Sequence, residues 1–204
     1  MALFRRDGYD ATTMRAVAKA AGVSVGNAYY YFSSKEHLVQ AFYDGLQVEH
    51  AAAAAEVLAK ERAFAGRVQG VLEAWLDVAA PHHEFAGQFF RNAADPRSPL
   101  SPFSDESTPA REASIALFEE VLAGSDVKVA APLRPELPGL LWLLQMGLVL
   151  FWVYDGSDGQ ARSRALVASA VPALDRTVRM TRLPLIRGLV DDLIKVLSDI
   201  RAAG

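Results

Sequence analysis

What most limits how this chain can fold is one short piece of punctuation, Gly22 followed two residues later by Ser24, inside "AAGVSVGNAYYYFSSKEHL". Upstream, the spacing predicts a helix capped by Thr13, with Met14, Val17, Ala18 and Ala21 inward at i, i+3, i+4 and i+7 and Arg15 and Lys19 outside. Gly22 supplies a residue able to take positive φ and stop that helix. Ser24 then caps the next one at once. Two short helices joined by so tight a glycine turn must cross steeply, which is the helix-turn-helix arrangement.

The remainder reads as helix throughout. No proline occurs before Pro81, and the first 80 residues are rich in Ala, Leu, Glu, Lys and Arg at helical spacings, with no strand signal. Ser33 or Ser34 opens a longer helix with Leu38, Phe42 and Leu46 on one face. It is expected to continue through the alanines 51–55 to Arg62, on the order of 40 Å at 1.5 Å per residue. A further helix from Arg67 to Ala80 would bury Val68, Val71, Leu72, Trp75 and Leu76, and Pro81 starts another that reaches Asn92. Residues 95–109 hold four of the ten prolines and four serines, which marks a loop. Helices are expected again at 108–124, 136–154, 160–180 and 185–201. The fold class is therefore all-α: a three-helix N-terminal domain over residues 1–45 and a larger helical domain over 46–204.

Composition narrows the function. A hydrophobic content of 51% with 22% charged residues describes a folded protein. The lack of cysteine excludes a disulfide framework, thiolate catalysis and zinc sites built on sulfur, and is compatible with a reducing cytoplasm. Residues 1–38 carry five basic and three acidic side chains, a balance of +2, whereas the rest carries 16 basic and 21 acidic, a balance of −5. A polyanion would prefer the N-terminal end. "MALFRRDGYD" has no apolar run of signal-peptide length, so secretion is not expected and a cytoplasmic protein is. Leu137 to Tyr154 runs 18 residues without a charge, near the length of a spanning helix. Pro138, Gly139, Gln145 and Gly147 interrupt it, and no cluster of Lys or Arg flanks it, so it reads as a helix buried in protein or in a helix-dimer seam.

Four consecutive aromatics, Tyr29 to Phe32, sweep roughly 300° of a helix and cannot all be core. Val25, Ala28 and Phe32 at i, i+3, i+7 form the expected inward stripe, with Tyr29 beside it. Asn27, Tyr30 and Tyr31 fall on the opposite side, next to Gly26. A short helix after a tight turn with such an outer face is what enters a DNA major groove. Gly26 would let the backbone approach closely, Asn27 could pair with adenine, and a tyrosine could donate to phosphate or pack on a thymine methyl. The helix N-termini at Thr13 and Ser34 would offer N–H groups to phosphates, with Lys35 adding charge.

These residues carry a resemblance. "LF", Gly8-Tyr9, Thr12-Thr13, Val17-Ala18, Ala21-Gly22-Val23-Ser24, Gly26-Asn27, Tyr29-Tyr30, Phe32, Lys35 and Leu38 resemble the DNA-binding domain of tetracycline-repressor-like (TetR-family) transcriptional regulators. The resemblance implies that Thr13, Arg15, Gly26, Asn27, Tyr29, Tyr30, Tyr31 and Lys35 lie at positions that commonly touch phosphate or bases. Val25 joins them as a departure, since many relatives carry Lys or Arg there, and Tyr31 stands where His is frequent, so the base preference stays open. Relatives usually carry further residues before the "LF", so the first helix looks clipped.

The resemblance also implies a homodimer built on late helices and a ligand cavity in the C-terminal domain. The helices near 136–154 and 160–180 are the expected dimer elements, because the first is apolar on every side. For the cavity, Trp75, Phe85, Phe89, Phe90, Phe118, Trp142 and Met146 are the candidate lining residues. No cofactor or metal is expected: His82 and His83 adjoin Glu84, but adjacent residues point to different sides of a helix. No Ser/His/Asp set, metal-spaced cluster or phosphate-cradling glycine loop suggests an enzyme. The expected function is a ligand-responsive, sequence-specific DNA-binding regulator, a repressor that binds a pseudo-palindromic operator as a dimer and is released by a small apolar effector. The alternative is a helical protein-interaction module that does not bind DNA.

Overall fold

The computed structural model of the chain describes residues 2–95 and 97–202, and the side chains of Arg5, Gln88, Phe89, Arg91, Ile200, Arg201 and Ala202 lie outside what is described. Among the described residues there are only helices, turns and loops. In order these are α1 (Ala2–Asp7), α2 (Met14–Ala20), α3 (Val25–Tyr31), α4 (Lys35–Lys60), α5 (Phe64–Ala79), α6 (His83–Ala93), α7 (Thr108–Ala123), α8 (Leu137–Val153), α9 (Ala161–Met180) and α10 (Arg187–Ala202). Tight 3-10 turns at Ala80–His82, Asp158–Gln160 and Pro184–Ile186 lead into α6, α9 and α10. The chain divides into two compact units, Met1–His50 with Asp77–Ala113 and Ala51–Leu76 with Ser114–Gly204.

The first unit is larger than residues 1–45 because α6 and the loop after it pack with the N-terminal helices. Phe4, Tyr9, Val39, Phe85 and Leu100 form one core, with Leu38, Tyr43 and Ala93 against it. Phe4 is the anchor of α1, its ring 5.8 Å from Tyr9 and 6.0 Å from Phe85. Gly8 turns the chain with φ of +83°, and Thr12, also buried, donates its hydroxyl to the Gly8 carbonyl at 2.7 Å. On the part of α4 that belongs to this unit Val39 and His50 are buried, and the expected face of Leu38, Phe42 and Leu46 is half-buried.

In the second unit one buried cation closes the helix ends. Arg67, on α5 and 3% exposed, donates to the carbonyls of Leu58 (2.8 Å), Glu61 (2.7 Å), Glu120 (2.8 Å) and Val121 (2.9 Å). These lie in the last turn of α4, just beyond it and in the last turn of α7, where backbone acceptors have no partner within the helix and the dipole is negative. A β-carbon on Gly124 would collide with this guanidinium. Helix α5 begins three residues earlier than the spacing predicts, because the Asp126 carboxylate accepts the Phe64 N–H at 3.0 Å. Between α8 and α9 the buried Asp155 carboxylate takes an N–H and a hydroxyl from each of Ser157 and Ser163, at 2.5–3.0 Å. Burial alone pushes the Asp155 carboxyl up, but those donors outweigh it and hold it well below the usual carboxylate range.

Helix α8 buries Leu141, Trp142, Gln145, Leu148 and Trp152 and exposes Leu143, Leu144, Leu150 and Phe151. Its apolar surface therefore extends round both sides. Among the described residues no helix is long and apolar enough to cross a membrane.

Candidate nucleic-acid interface

The local hydrogen bonds explain why two short helices form here. The Thr13 side chain accepts the Ala16 N–H at 3.2 Å and starts α2. Gly22, with φ of +70°, stops it, and the Ser24 hydroxyl accepts the Asn27 N–H at 3.1 Å to start α3. Met14, Ala18 and Ala28, with Phe32 against them, are the small core between these two helices.

Only Ala28 of α3 is buried, so nearly the whole helix faces outward. At 100° per residue, the side opposite Ala28 is centred on Gly26 and Tyr30, flanked by Val25 and Tyr29 on one edge and by Asn27 and Tyr31 on the other. Fractional exposure follows that order: Tyr30 81%, Tyr31 69%, Tyr29 51% and Val25 37%. The inward stripe expected from Val25 through Tyr29 is thus corrected to Ala28 and Phe32. A seven-residue helix that meets its partner through one alanine has no wide buried side. Ala21, expected inward, is likewise exposed. The rings of Tyr30 and Tyr31 meet edge to face at 5.2 Å.

Gly26 is informative because nothing among the described residues asks for it. Its φ is not positive, and a β-carbon placed there would meet no atom within 4 Å. A glycine inside a helix costs roughly 0.5–1 kcal/mol relative to alanine. The site accepts that cost with no internal contact in return.

Of the three expected cations, Lys35 alone departs from its expected place. Arg15 and Lys19 are exposed on α2. Lys35 turns inward: its Nζ donates to the Tyr9 carbonyl at 2.7 Å and sits 4.0 Å from the centre of the Tyr9 ring. The Tyr9 hydroxyl in turn donates to Glu36 Oε1 at 2.7 Å. Burial, and then the Glu36 carboxylate, push the Tyr9 phenol up from its ordinary value. Lys35 and Glu36 therefore fasten the start of α4 to the loop after α1.

The candidate ligand residues do not gather in one unit. Phe118 and Trp142 are buried in the second unit, Met146 is half-buried, and Trp75 packs edge to face on Trp152 at 5.1 Å. Phe85 instead belongs to the core of the first unit, which also contains the half-buried Phe90. Phe89 lies outside the described residues. A cavity of about 490 Å³ opens in the first unit, lined by Tyr9, Glu36, His37, Asn92, Asp95 and Glu106 among others. It includes none of the seven. The sequence carries no local sign of it, since its walls come from segments some 60 residues apart. Among the described residues no group of three or more acidic, histidine or cysteine side chains could hold a metal.

A helix held outward by two caps and a positive-φ glycine turn places the chain among helix-turn-helix proteins. Residues 1–42 match the bacterial regulatory proteins of the tetR family, and residues 67–196 match the tetracyclin repressor-like C-terminal domain. The chain belongs to the TetR family of DNA-binding transcriptional regulators. Over 47 residues it is 45% identical to the probable HTH-type transcriptional regulator YttP of Bacillus subtilis (strain 168), a stretch covering 21% of this chain and 23% of that protein. The chain thus matches less than a quarter of that curated relative's length. In fold it is similar to the TetR family transcriptional regulator PfmR from Thermus thermophilus, with TM-score 0.55 and 15% identity over 85% of this chain and 90% of that one. It is also similar to a protein with unknown function from Rhodococcus sp. RHA1, with TM-score 0.58 and 18% identity over 87% and 90% of the two chains.

Proposed function

We propose that this regulator is a ligand-responsive repressor that binds a pseudo-palindromic operator as a homodimer through α3, in the cytoplasm, and is released by a small apolar effector. The observation that carries the reading is the outer face of α3: a glycine with open space above it and three outward phenols, on a helix whose own fold uses only Ala28. Thr13, Arg15, Val25, Gly26, Asn27, Tyr29, Tyr30 and Tyr31 are the proposed DNA contacts, with Lys35 acting mainly by positioning the start of α4. The leucines exposed on α8, together with Leu166 on α9, support a twofold interface.

Arg67 supports the effector step. One guanidinium holds both the end of α4 and the end of α7, so a ligand that displaces α7 also displaces α4. Trp75, Phe118, Trp142 and Met146 are the proposed ligand contacts. An effector that prefers the released geometry a hundredfold supplies about 2.7 kcal/mol towards it.

Gel retardation with duplexes selected from random DNA tests the reading. Specific, palindromic retardation by the native chain and its loss in Tyr30→Ala, with an unchanged circular dichroism spectrum, is the expected result. Retardation that Tyr30→Ala leaves intact would sink the proposal and favour an interaction module.

A further inference from the structure

Resting on the reading of α3 as the helix that enters the groove, we infer that it selects A·T base pairs, and that Val25 is the specificity-determining residue that recognises the 5-methyl group of thymine. Helix α3, Val25–Tyr31, contains no Lys or Arg. The commonest guanine contact, a cation held bidentately on O6 and N7, is therefore missing from the helix itself. Neither neighbour supplies it: Lys35 is committed to the Tyr9 carbonyl and ring, and Arg15 and Lys19 lie on α2, the helix that crosses the DNA backbone in this arrangement.

What α3 offers instead is an apolar group at its first position. Reading helices touch base edges with their N-terminal residues. Val25 is the first residue of α3 and stands outward, whereas the core between α2 and α3 is made by Met14, Ala18, Ala28 and Phe32. Gly26 follows directly and lets the backbone close on the groove, carrying the valine methyls with it. In the major groove thymine alone presents a methyl group, and Asn27, on the opposite edge of the same face, has the donor and acceptor that match adenine N7 and N6.

The test takes the palindrome recovered from random DNA and replaces each thymine in turn, in both half-sites, by deoxyuridine, which removes the methyl and leaves base pairing intact. At one position affinity is expected to fall roughly fourfold per methyl removed, about sixteenfold for the pair of half-sites. Val25→Ala, which keeps a helix-forming residue at a position outside the core between α2 and α3, is expected to bind the thymine and deoxyuridine duplexes equally at that position. Unchanged affinity at every deoxyuridine, or selected half-sites with guanine beneath α3, would overturn the inference while leaving the DNA-reading proposal standing. Failure to recover any specific site would overturn both.

Discussion

Replacing Gly26 by alanine separates what α3 does for the fold from what it does for DNA. In the free protein the new methyl meets nothing within 4 Å, and the backbone there needs no positive φ. The substitution should then recover the helix cost of glycine, about 0.5–1 kcal/mol. For a chain of 204 residues that corresponds to a rise in Tm of about 1–4 °C. On DNA the same methyl stands at the centre of the outward face and holds the backbone off the groove. Losing one well-formed base contact costs about 1–3 kcal/mol, a weakening of roughly five- to 150-fold. A thermal melt followed by circular dichroism and an operator titration by fluorescence anisotropy read the two effects on one preparation. A lowered Tm would mean that Gly26 is packed against something in the chain. Native operator affinity with a raised Tm would mean that no surface approaches it, and the reasoning about this helix would fail.

Arg67→Met should destabilise the second unit by about 3–5 kcal/mol, since it takes the guanidinium from the carbonyls of Leu58, Glu61 and Val121, while Glu120 keeps the Gly124 N–H; a fall in Tm of on the order of 10 °C is expected, and one under 2 °C would refute the role. Asp155→Asn should cost about 2 kcal/mol at pH 7. Because the folded carboxyl is held well below its unfolded value of about 3.9, that stabilisation is present above pH 4 and shrinks progressively as pH falls further, so the stabilities of variant and native chain should draw together below about pH 4. If each protomer of a dimer neutralises about four phosphates, log K for the operator should fall with log[salt] at a slope near −7, and a slope shallower than about −3 would rule out that footprint. Lys35→Met should lower the Tm of the first unit and weaken all DNA sequences alike, whereas an effect confined to one base position would contradict its positioning role.

What was legible in the sequence is what local hydrogen bonds decide. Thr13, Gly22 and Ser24 act within three or four residues of themselves, so their roles can be read from a short window, and both caps and the turn stand where spacing puts them. Val25 was not legible in that way. Two helical turns are too few for a 3.6-residue period to separate an inward valine from an outward one when a single alanine makes the contact. Lys35 misled for the opposite reason: its partner, Tyr9, lies 26 positions earlier, and an exposed-looking lysine at a helix start gives no sign of it. Arg67 escaped notice because its acceptors on α7 are 53 and 54 positions away and are backbone atoms that no residue type announces. Phe85 shows the same limit for apolar residues, since its period marks it as core but not as the core of which unit.

The residues that carried the family resemblance sort into two physical groups. Phe4, Gly8, Tyr9, Thr12 and Lys35 satisfy one another inside the first unit, through ring packing, a 2.7 Å hydroxyl bond and an ammonium held on a carbonyl. Gly26, Asn27, Tyr29, Tyr30 and Tyr31 satisfy almost nothing among the described residues, and they depart from what an isolated surface helix would choose: a glycine where alanine is better, and aromatics where charges keep a helix soluble. Local choices that disagree with the fold and have no internal compensation mark where a sequence answers to something outside itself. On α3 the disagreement occupies one continuous face about two turns long, the dimension of a helix laid into a groove.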